Sequence, residues 1–174
     1  MATTYTLISS STVGSGGASS IIFSNIPQIY TDLVLKWSLR SSTNAYRMNI
    51  NITYNSISSG YSNIYLSGQG AGAATSASNA TGTSQIYSGE IPGVTGTANT
   101  FGNGEIYIPN YRSSNFKNAS IYNAQESNQT SNVFLSLISS QLANTAAINQ
   151  IVITPGADSF AQHSTAYLYG ISNA

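Results

Sequence analysis

A period-two alternation of apolar and polar residues recurs along this chain, and it constrains the fold more than any other feature. Between residues 32 and 40, every second residue is large and apolar: Leu33, Leu35, Trp37 and Leu39. We expect the intervening Lys36, Ser38 and Arg40 on the opposite face. Successive side chains of a β-strand point to opposite faces, so the pattern predicts a strand with one buried face. Residues 47–54 repeat it with the apolar set Met48, Ile50, Ile52 and Tyr54.

Runs of this kind predict an all-β fold. They give ten or eleven candidate strands, centred near residues 3–12, 18–26, 32–40, 46–54, 61–66, 84–91, 101–108, 116–124, 132–140, 147–154 and 162–171. A helical interpretation fails because Ser, Thr, Asn and Gly, which are mediocre or poor helix formers, dominate the chain. This many short strands in 174 residues predicts a single domain, 1–174, built as a two-sheet antiparallel β-sandwich. A jelly roll is the first choice and an immunoglobulin-like sandwich is the alternative.

One segment departs from the alternation. Residues 67–83 read SGQGAGAATSASNATGT and contain no large side chain. We expect a flexible loop rich in Gly, Ala and Ser here. A loop of this length inside a domain is either functional or an insertion without a role, and the sequence leaves both readings open.

Charge and cysteine content exclude several classes of function. Only 6% of residues are charged, five basic and five acidic side chains cancel, and there is no cysteine. An average domain has about 25% charged residues, so solubility must come from neutral polar groups. The chain has no basic patch that would attract nucleic acid or an anionic membrane surface. Disulfides and thiolate chemistry are excluded, and no apolar stretch is long enough to span a bilayer.

No catalytic or metal-binding constellation emerges. His163 is the single histidine, and Asp158, Ser159 and Ser164 lie near it in sequence, but triad members normally come from separate elements. The acids occur singly, outside any motif: Asp32, Glu90, Glu105, Glu126 and Asp158. We therefore expect no enzyme, no cofactor and no metal. The glycines at 14–17 and 68–72 open no helix, which argues against a phosphate-binding loop.

Several strings resemble small β-rich structural proteins of tailed bacteriophages, including phages of cyanobacteria. The strings that carry the resemblance are 5–10, 12–18 and 30–36 in the first part of the chain, 99–101 and 105–111 in the middle, and 144–148, 163–166 and 168–171 near the end. The similarity covers most of the chain but leaves out 67–83. It implies a non-enzymatic virion component, made in the host cytoplasm, and it carries over no active residue.

Two functions from different classes fit these observations. The first is a capsid decoration or cement protein that binds the outside of the major capsid protein shell and stabilises it. The alternative is a receptor-binding or glycan-binding head that attaches to tail proteins and contacts a host surface glycan, for which twelve tyrosines could supply stacking surfaces. A free-standing carbohydrate-binding module is a third, weaker reading. We also expect a homo-oligomer, a trimer, held by neutral surfaces; the sequence identifies no residue of a partner interface.

Overall fold

The computed structural model describes residues 4–70, 75–125, 128 and 133–172, and within these ranges every regular element is a β-strand. The twelve strands are β1 (Tyr5–Thr12), β2 (Ile21–Phe23), β3 (Asp32–Leu39), β4 (Arg47–Tyr54), β5 (Tyr61–Gln69), β6 (Thr75–Thr83), β7 (Ile86–Pro92), β8 (Gly102–Ile108), β9 (Lys117–Gln125), β10 (Phe134–Leu142), β11 (Ile151–Pro155) and β12 (Thr165–Ile171).

The strands form two antiparallel sheets. The large sheet has eight strands in the order β1-β12-β3-β8-β9-β10-β5-β6, and the small sheet has four in the order β2-β11-β4-β7. The predicted all-β sandwich is therefore confirmed.

The pairing is nested, as in a jelly roll. The pairs β1·β12, β3·β8 and β5·β6 lie in the large sheet, whereas β2·β11 and β4·β7 lie in the small one. From the chain ends inward, the pairs thus alternate between sheets, which is what a long antiparallel hairpin produces when it is wrapped into a two-layer roll. The β9–β10 hairpin is inserted between β8 and β5. This topology favours the jelly roll over the immunoglobulin-like alternative.

The core between the sheets uses the predicted register. Leu33, Leu35 and Leu39 are fully buried and Trp37 is 3% exposed. From the small sheet, Ile50, Ile52 and Tyr54 are fully buried as well, while Met48 lies half-buried against the margin of the core. A shift of one residue would have placed the polar set inside, so the alternation determined the register of both strands.

The predicted position of Arg40 on the outer face is wrong. Its side chain was expected beside Lys36 on the outer face, but it is 9% exposed. Strand β3 ends at Leu39, so the alternation does not extend to residue 40. The guanidinium donates instead to the carbonyl oxygens of Thr97 at 2.7 Å, Thr100 at 2.9 Å and Gly96 at 3.1 Å, which holds that loop against the end of the strand.

The predicted loop at residues 67–83 is also wrong. In this segment β5 continues to Gln69 and β6 occupies Thr75–Thr83, paired with β5. Residues 71–74 lie outside the described residues. Strand β6 is the outermost strand of the large sheet, where the side chains do not have to fill a core. Small Ser, Thr and Ala residues suffice there, and they remove the apolar signal on which strand prediction depends.

Candidate functional site

The residues considered for catalysis do not form an active site. His163 and Asp158 are exposed, and both have a positive φ. Ser164 is fully buried, and its Oγ accepts a hydrogen bond from the Arg40 amide at 3.1 Å and donates one to the Arg40 carbonyl oxygen at 3.2 Å. The hydroxyl is therefore occupied by backbone groups at the start of a strand rather than activated by a base.

Three of the described acids, Asp32, Glu90 and Glu105, are in ion pairs or hydrogen bonds. Glu105 forms an ion pair with Lys36 at 3.0 Å, and Glu90 forms one with Arg47 at 2.8 Å. Burial raises the pKa of Glu90, and the neighbouring Arg47 opposes that rise. Glu126 lies outside the described residues. Within the described ranges, no three His, Cys, Asp or Glu side chains approach closely enough to hold a metal ion.

Asp32 has a structural role of its own. It is 4% exposed, and its two carboxylate oxygens accept hydrogen bonds from the Tyr107 hydroxyl at 2.7 Å and from the Asn110 amide at 2.8 Å. The hydrogen bond to Asp32 is the main cause that raises the pKa of Tyr107, to about 12. Asp32 thus ties the end of β8 to the start of β3.

The surface that stands out is half of the outer face of the large sheet, which we call the neutral face. It consists of the outward residues of β9, β10, β5 and β6, all uncharged: Asn118, Ser120, Tyr122, Ala124, Leu135, Leu137, Ser139, Gln141, Ser62, Ile64, Leu66, Gly68, Ala77, Asn79 and Thr81. Four aliphatic side chains lie open on it: Ile64 at 62% exposed, Leu66 at 58%, Leu137 at 51% and Leu135 at 43%.

The strand register brings these side chains together. Leu137 lies directly opposite Tyr122 on one side and Leu66 on the other, and Leu66 lies opposite Ala77. Directly paired side chains on one face of a sheet are in contact range, so the row is continuous across four strands. A contiguous exposed apolar patch of this kind is the usual mark of an interaction surface.

Several depressions shape the neutral face. One, of about 430 Å³, is lined by Ile64, Ala77 and Asn79. Two others differ in their lining. The larger, about 600 Å³, crosses Ser120 and Ser139 and is bounded by Tyr107, Ile64 and Gln141. The smaller, about 370 Å³, lies over Gly68 and Ala77 between Leu66, Leu135 and Leu137. The larger of these two mixes hydroxyl and amide groups with apolar side chains, whereas the smaller is mainly aliphatic.

The remaining half of the outer face contains the buried Asp32 carboxylate, which accepts from Tyr107, and one exposed ion pair. Lys36 and Glu105 are cross-strand neighbours on β3 and β8, and each is about half exposed. Tyr5 and Leu7 on β1 are exposed beyond them, together with Tyr167 on β12.

Sequence reasoning missed the neutral face, although β10 contained a signal. Phe134 and Ile138 of that strand are buried, but the intervening Leu135 and Leu137 are also large and apolar. A strand that is apolar in both phases either is buried on two sides or exposes one apolar side. No third layer covers β10 among the described residues, so the second possibility applies.

The fold and this face define a class: a jelly-roll β-sandwich in which half of the large sheet's outer face is uncharged and partly aliphatic. No family model matches the chain, and no curated protein sequence matches it. Among solved structures, the chain is similar to galectin LEC-6 of Caenorhabditis elegans, with 11% identity over 87% of this chain and 96% of that one. The TM-score is 0.30, so the likeness carries no argument. None of the described segments is a helix long and apolar enough to cross a membrane.

Proposed function

We propose that this protein is a non-enzymatic component of a bacteriophage virion, a decoration or cement protein that binds the outside of the major capsid protein shell. The observation that carries the proposal is the neutral face, where Ile64, Leu66, Leu135 and Leu137 are exposed side by side without a charge among the outward residues of four strands. Burying such a face on another protein gains apolar contact and desolvates no ion. The sequence resemblance to phage structural proteins supplies the identity of the partner.

The fold suits this role. Both sheets share one core and the nested pairing ties the chain ends to each other through β1 and β12, so the outer face is a rigid platform. Viral capsid proteins and lectins both use jelly rolls, and for that reason the fold alone does not separate the candidate functions.

The first experiment is to measure how many copies a purified virion contains, by quantitative mass spectrometry against the major capsid protein. A decoration protein should be present in a fixed ratio to the capsid subunit. A copy number that matches the tail instead would contradict the capsid assignment.

A binding experiment then tests the face itself. Leu137→Asp should abolish binding to capsids that lack the protein, because the carboxylate would have to be desolvated beside Leu66 and Tyr122. Ile22→Asp on the small sheet is the matched control, since Ile22 is 54% exposed and lies far from the neutral face. Equal binding of both variants would rule out the neutral face as the contact.

A glycan-binding head at the tail is the second candidate, and the larger depression is the observation that favours it. Tyr107 bounds this depression, and the Gln141 amide that donates to Asn118 Oδ1 at 3.1 Å presents polar groups beside it. Hydroxyl and amide groups next to an aromatic ring are what a sugar site requires. Binding to a glycan array that Gln141→Ala removes and Leu137→Asp preserves would favour this candidate over the capsid role.

The proposal also predicts which residues are dispensable. His163→Ala and Glu105→Gln should bind capsids as the wild type does, with small changes in stability, because neither group takes part in chemistry. Hydrolysis of a glycan or an ester that disappears with either substitution would overturn the non-enzymatic assignment.

A further inference from the structure

The two outermost strands of the large sheet lack the features that usually protect sheet edges. Among the described strands, β1 and β6 each have one neighbour, β12 and β5 respectively. They are eight and nine residues long, YTLISSST and TSASNATGT, with no charged residue and no proline. Natural proteins block sheet edges with charges, prolines, bulges or short strands, because the unpaired backbone groups can pair with another chain.

The edges of the small sheet provide the contrast. Strand β2 is only three residues long, and β7 contains Glu90 and Pro92 and shifts register against β4. Strands β1 and β6 each have one irregularity, but both also have a stretch of regular pairing. On β1 the irregularity lies between Leu7 and Ser9, and Tyr5 to Leu7 pair regularly with β12. On β6 it lies between Thr81 and Thr83, and Thr75 to Thr81 pair regularly with β5. The unprotected edges therefore both belong to the large sheet.

The strand directions allow the two edges to join between copies. All neighbours in the large sheet are antiparallel and the sheet has eight strands, so β1 and β6 run in opposite directions. A second copy placed with its outer face on the same side would therefore present its β1 antiparallel to β6. No reversal of the sheet is needed, and the antiparallel ladder continues across the junction.

The side chains at the two edges are complementary. On β6 the outward residues Ala77 and Asn79 are small, and the depression of about 370 Å³ lies over Ala77. On β1 the outward residues are large, with Leu7 52% exposed and Tyr5 45% exposed. In an antiparallel pair that places Ala77 of one copy opposite Leu7 of the next, Asn79 lies opposite Tyr5. Leu7 of the next copy then extends the row formed by Tyr122, Leu137, Leu66 and Ala77.

Pairing of β6 with β6 would not place large side chains opposite small ones. The outward residues described on β6 are Ala77, Asn79 and Thr81, so two such strands would place small side chains opposite each other and leave the depression empty. An exposed Leu7 fits the depression, and zero net charge removes long-range repulsion between copies.

We infer that copies of this chain join head to tail, with β6 of one copy pairing with β1 of the next and Leu7 packing over Ala77. A junction between two different edges is heterologous and closes into a ring when the rotation between copies permits it. Closure after three copies gives the expected trimer. The junction does not depend on the capsid role, because it concerns only how copies meet.

Cysteine cross-linking tests the junction directly, because the chain has no cysteine of its own. Residues 7 and 77 lie on opposite edges of the eight-stranded sheet, roughly 30 Å apart at about 4.8 Å per strand spacing, so a disulfide between them must join two copies. Under mild oxidation, Leu7→Cys with Ala77→Cys should give a ladder that ends at a covalent trimer on a non-reducing gel. Each single variant can give dimers at most. A double variant that stays monomeric, or forms only the bands of the singles, would overturn the inference.

A complementation experiment distinguishes this junction from any symmetric one. Leu7→Lys blocks β1 and Ala77→Lys blocks β6, so each variant alone should be monomeric by light scattering. Mixed together they retain one intact β6 and one intact β1 per pair, and they should form dimers. Ile22→Lys is the matched exposed control and should oligomerise as the wild type does. A wild type that is monomeric at every concentration, or a Leu7→Lys variant with the wild-type mass, would rule out the junction; circular dichroism confirms that each variant is folded.

Discussion

At the scale of single residues, Trp37 packs in the core against a glycine of the neighbouring strand. Gly104 lies opposite it on β8, and a Cβ built at Gly104 would come within 2.5 Å of the indole ring. The ring thus occupies the space that a side chain at residue 104 would need. Gly104 on one strand and Trp37 on the next are therefore complementary in size.

Removing that ring should be costly. Trp37→Ala should lower the free energy of unfolding by about 3–5 kcal/mol, because it removes the apolar contact and leaves a cavity that the sheets cannot close. Urea denaturation measures the change. Tyr122→Ala is the control, since Tyr122 is 43% exposed on the same sheet and should lose far less. A loss below about 1 kcal/mol for Trp37→Ala would mean that the ring is not part of the core.

Tyr107 makes the stability depend on alkaline pH. Its pKa is raised to about 12 by the hydrogen bond to Asp32, whereas an unfolded tyrosine ionises near 10. The unfolded chain therefore loses this proton first, and the stabilisation that is complete below pH 10 is lost as the pH rises toward 12. Tyr107→Phe should flatten this part of the curve of unfolding free energy against pH. NMR titration of labelled tyrosine should show a late-ionising signal that is absent in Tyr107→Phe and shifted to lower pH in Asp32→Asn.

At the scale of elements, a buried ammonium group holds the loops at the start of β9. Lys117 is 1% exposed, and its Nζ donates to the carbonyl oxygens of Asn115 at 2.6 Å, Ser113 at 2.7 Å and Thr145 at 3.2 Å. These carbonyls belong to the loop before β9 and the loop after β10. One side chain thus fixes both loops by hydrogen bonds rather than by an ion pair.

The two lysines Lys117 and Lys36 can be compared with the same substitution. Lys117→Met keeps the length of the side chain but leaves three carbonyl oxygens without their donor, and it should cost about 2–3 kcal/mol. Lys36→Met removes a half-exposed ion pair with Glu105 and should cost at most about 1 kcal/mol. Thermal unfolding of both variants measures the difference. Equal losses of stability in the two variants would mean that water molecules bind the three carbonyl oxygens in place of the Lys117 ammonium group.

The sequence was sufficient to predict the strands whose two faces differ in polarity. The registers of β3 and β4 follow from alternation, because one phase is apolar and the other is polar. Strand β6 could not be found in this way, since its small residues differ little between phases and its position at the sheet edge requires no apolar side. Arg40 was misplaced because a period-two pattern does not mark the residue at which a strand stops.

The neutral face was less predictable than the fold. Leu135 and Leu137 could be recognised as apolar, but their exposure depends on the absence of a third layer, which is a property of the assembled sheets. The row from Tyr122 to Ala77 joins two pairs of consecutive strands, β9–β10 and β5–β6, that are distant from each other in sequence, and only the pairing of β10 with β5 brings them together. Local sequence patterns contain no information about which strands are neighbours in the sheet.

At the scale of the whole molecule, low charge and nested topology lead to one physical expectation. The jelly roll places the first and last strands, β1 and β12, at one edge of the large sheet and the β5–β6 hairpin at the other edge. The residues that meet in a head-to-tail assembly are then neutral on both sides. The ion pairs among the described residues, Lys36 with Glu105 and Arg47 with Glu90, are formed within one copy. Attraction between copies must come from apolar contact and backbone hydrogen bonds.

Assembly should therefore be insensitive to sodium chloride. At about 1 M salt the screening length falls to roughly 3 Å, which weakens contacts between exposed charges but leaves apolar burial and strand pairing in place. The mass measured by light scattering should stay constant from low to molar sodium chloride, and sodium sulfate should strengthen the assembly because it is excluded from exposed apolar surface. Dilution, in contrast, should dissociate it. Dissociation by sodium chloride at constant protein concentration would contradict the neutral junction, because only charged contacts between copies would respond in that way.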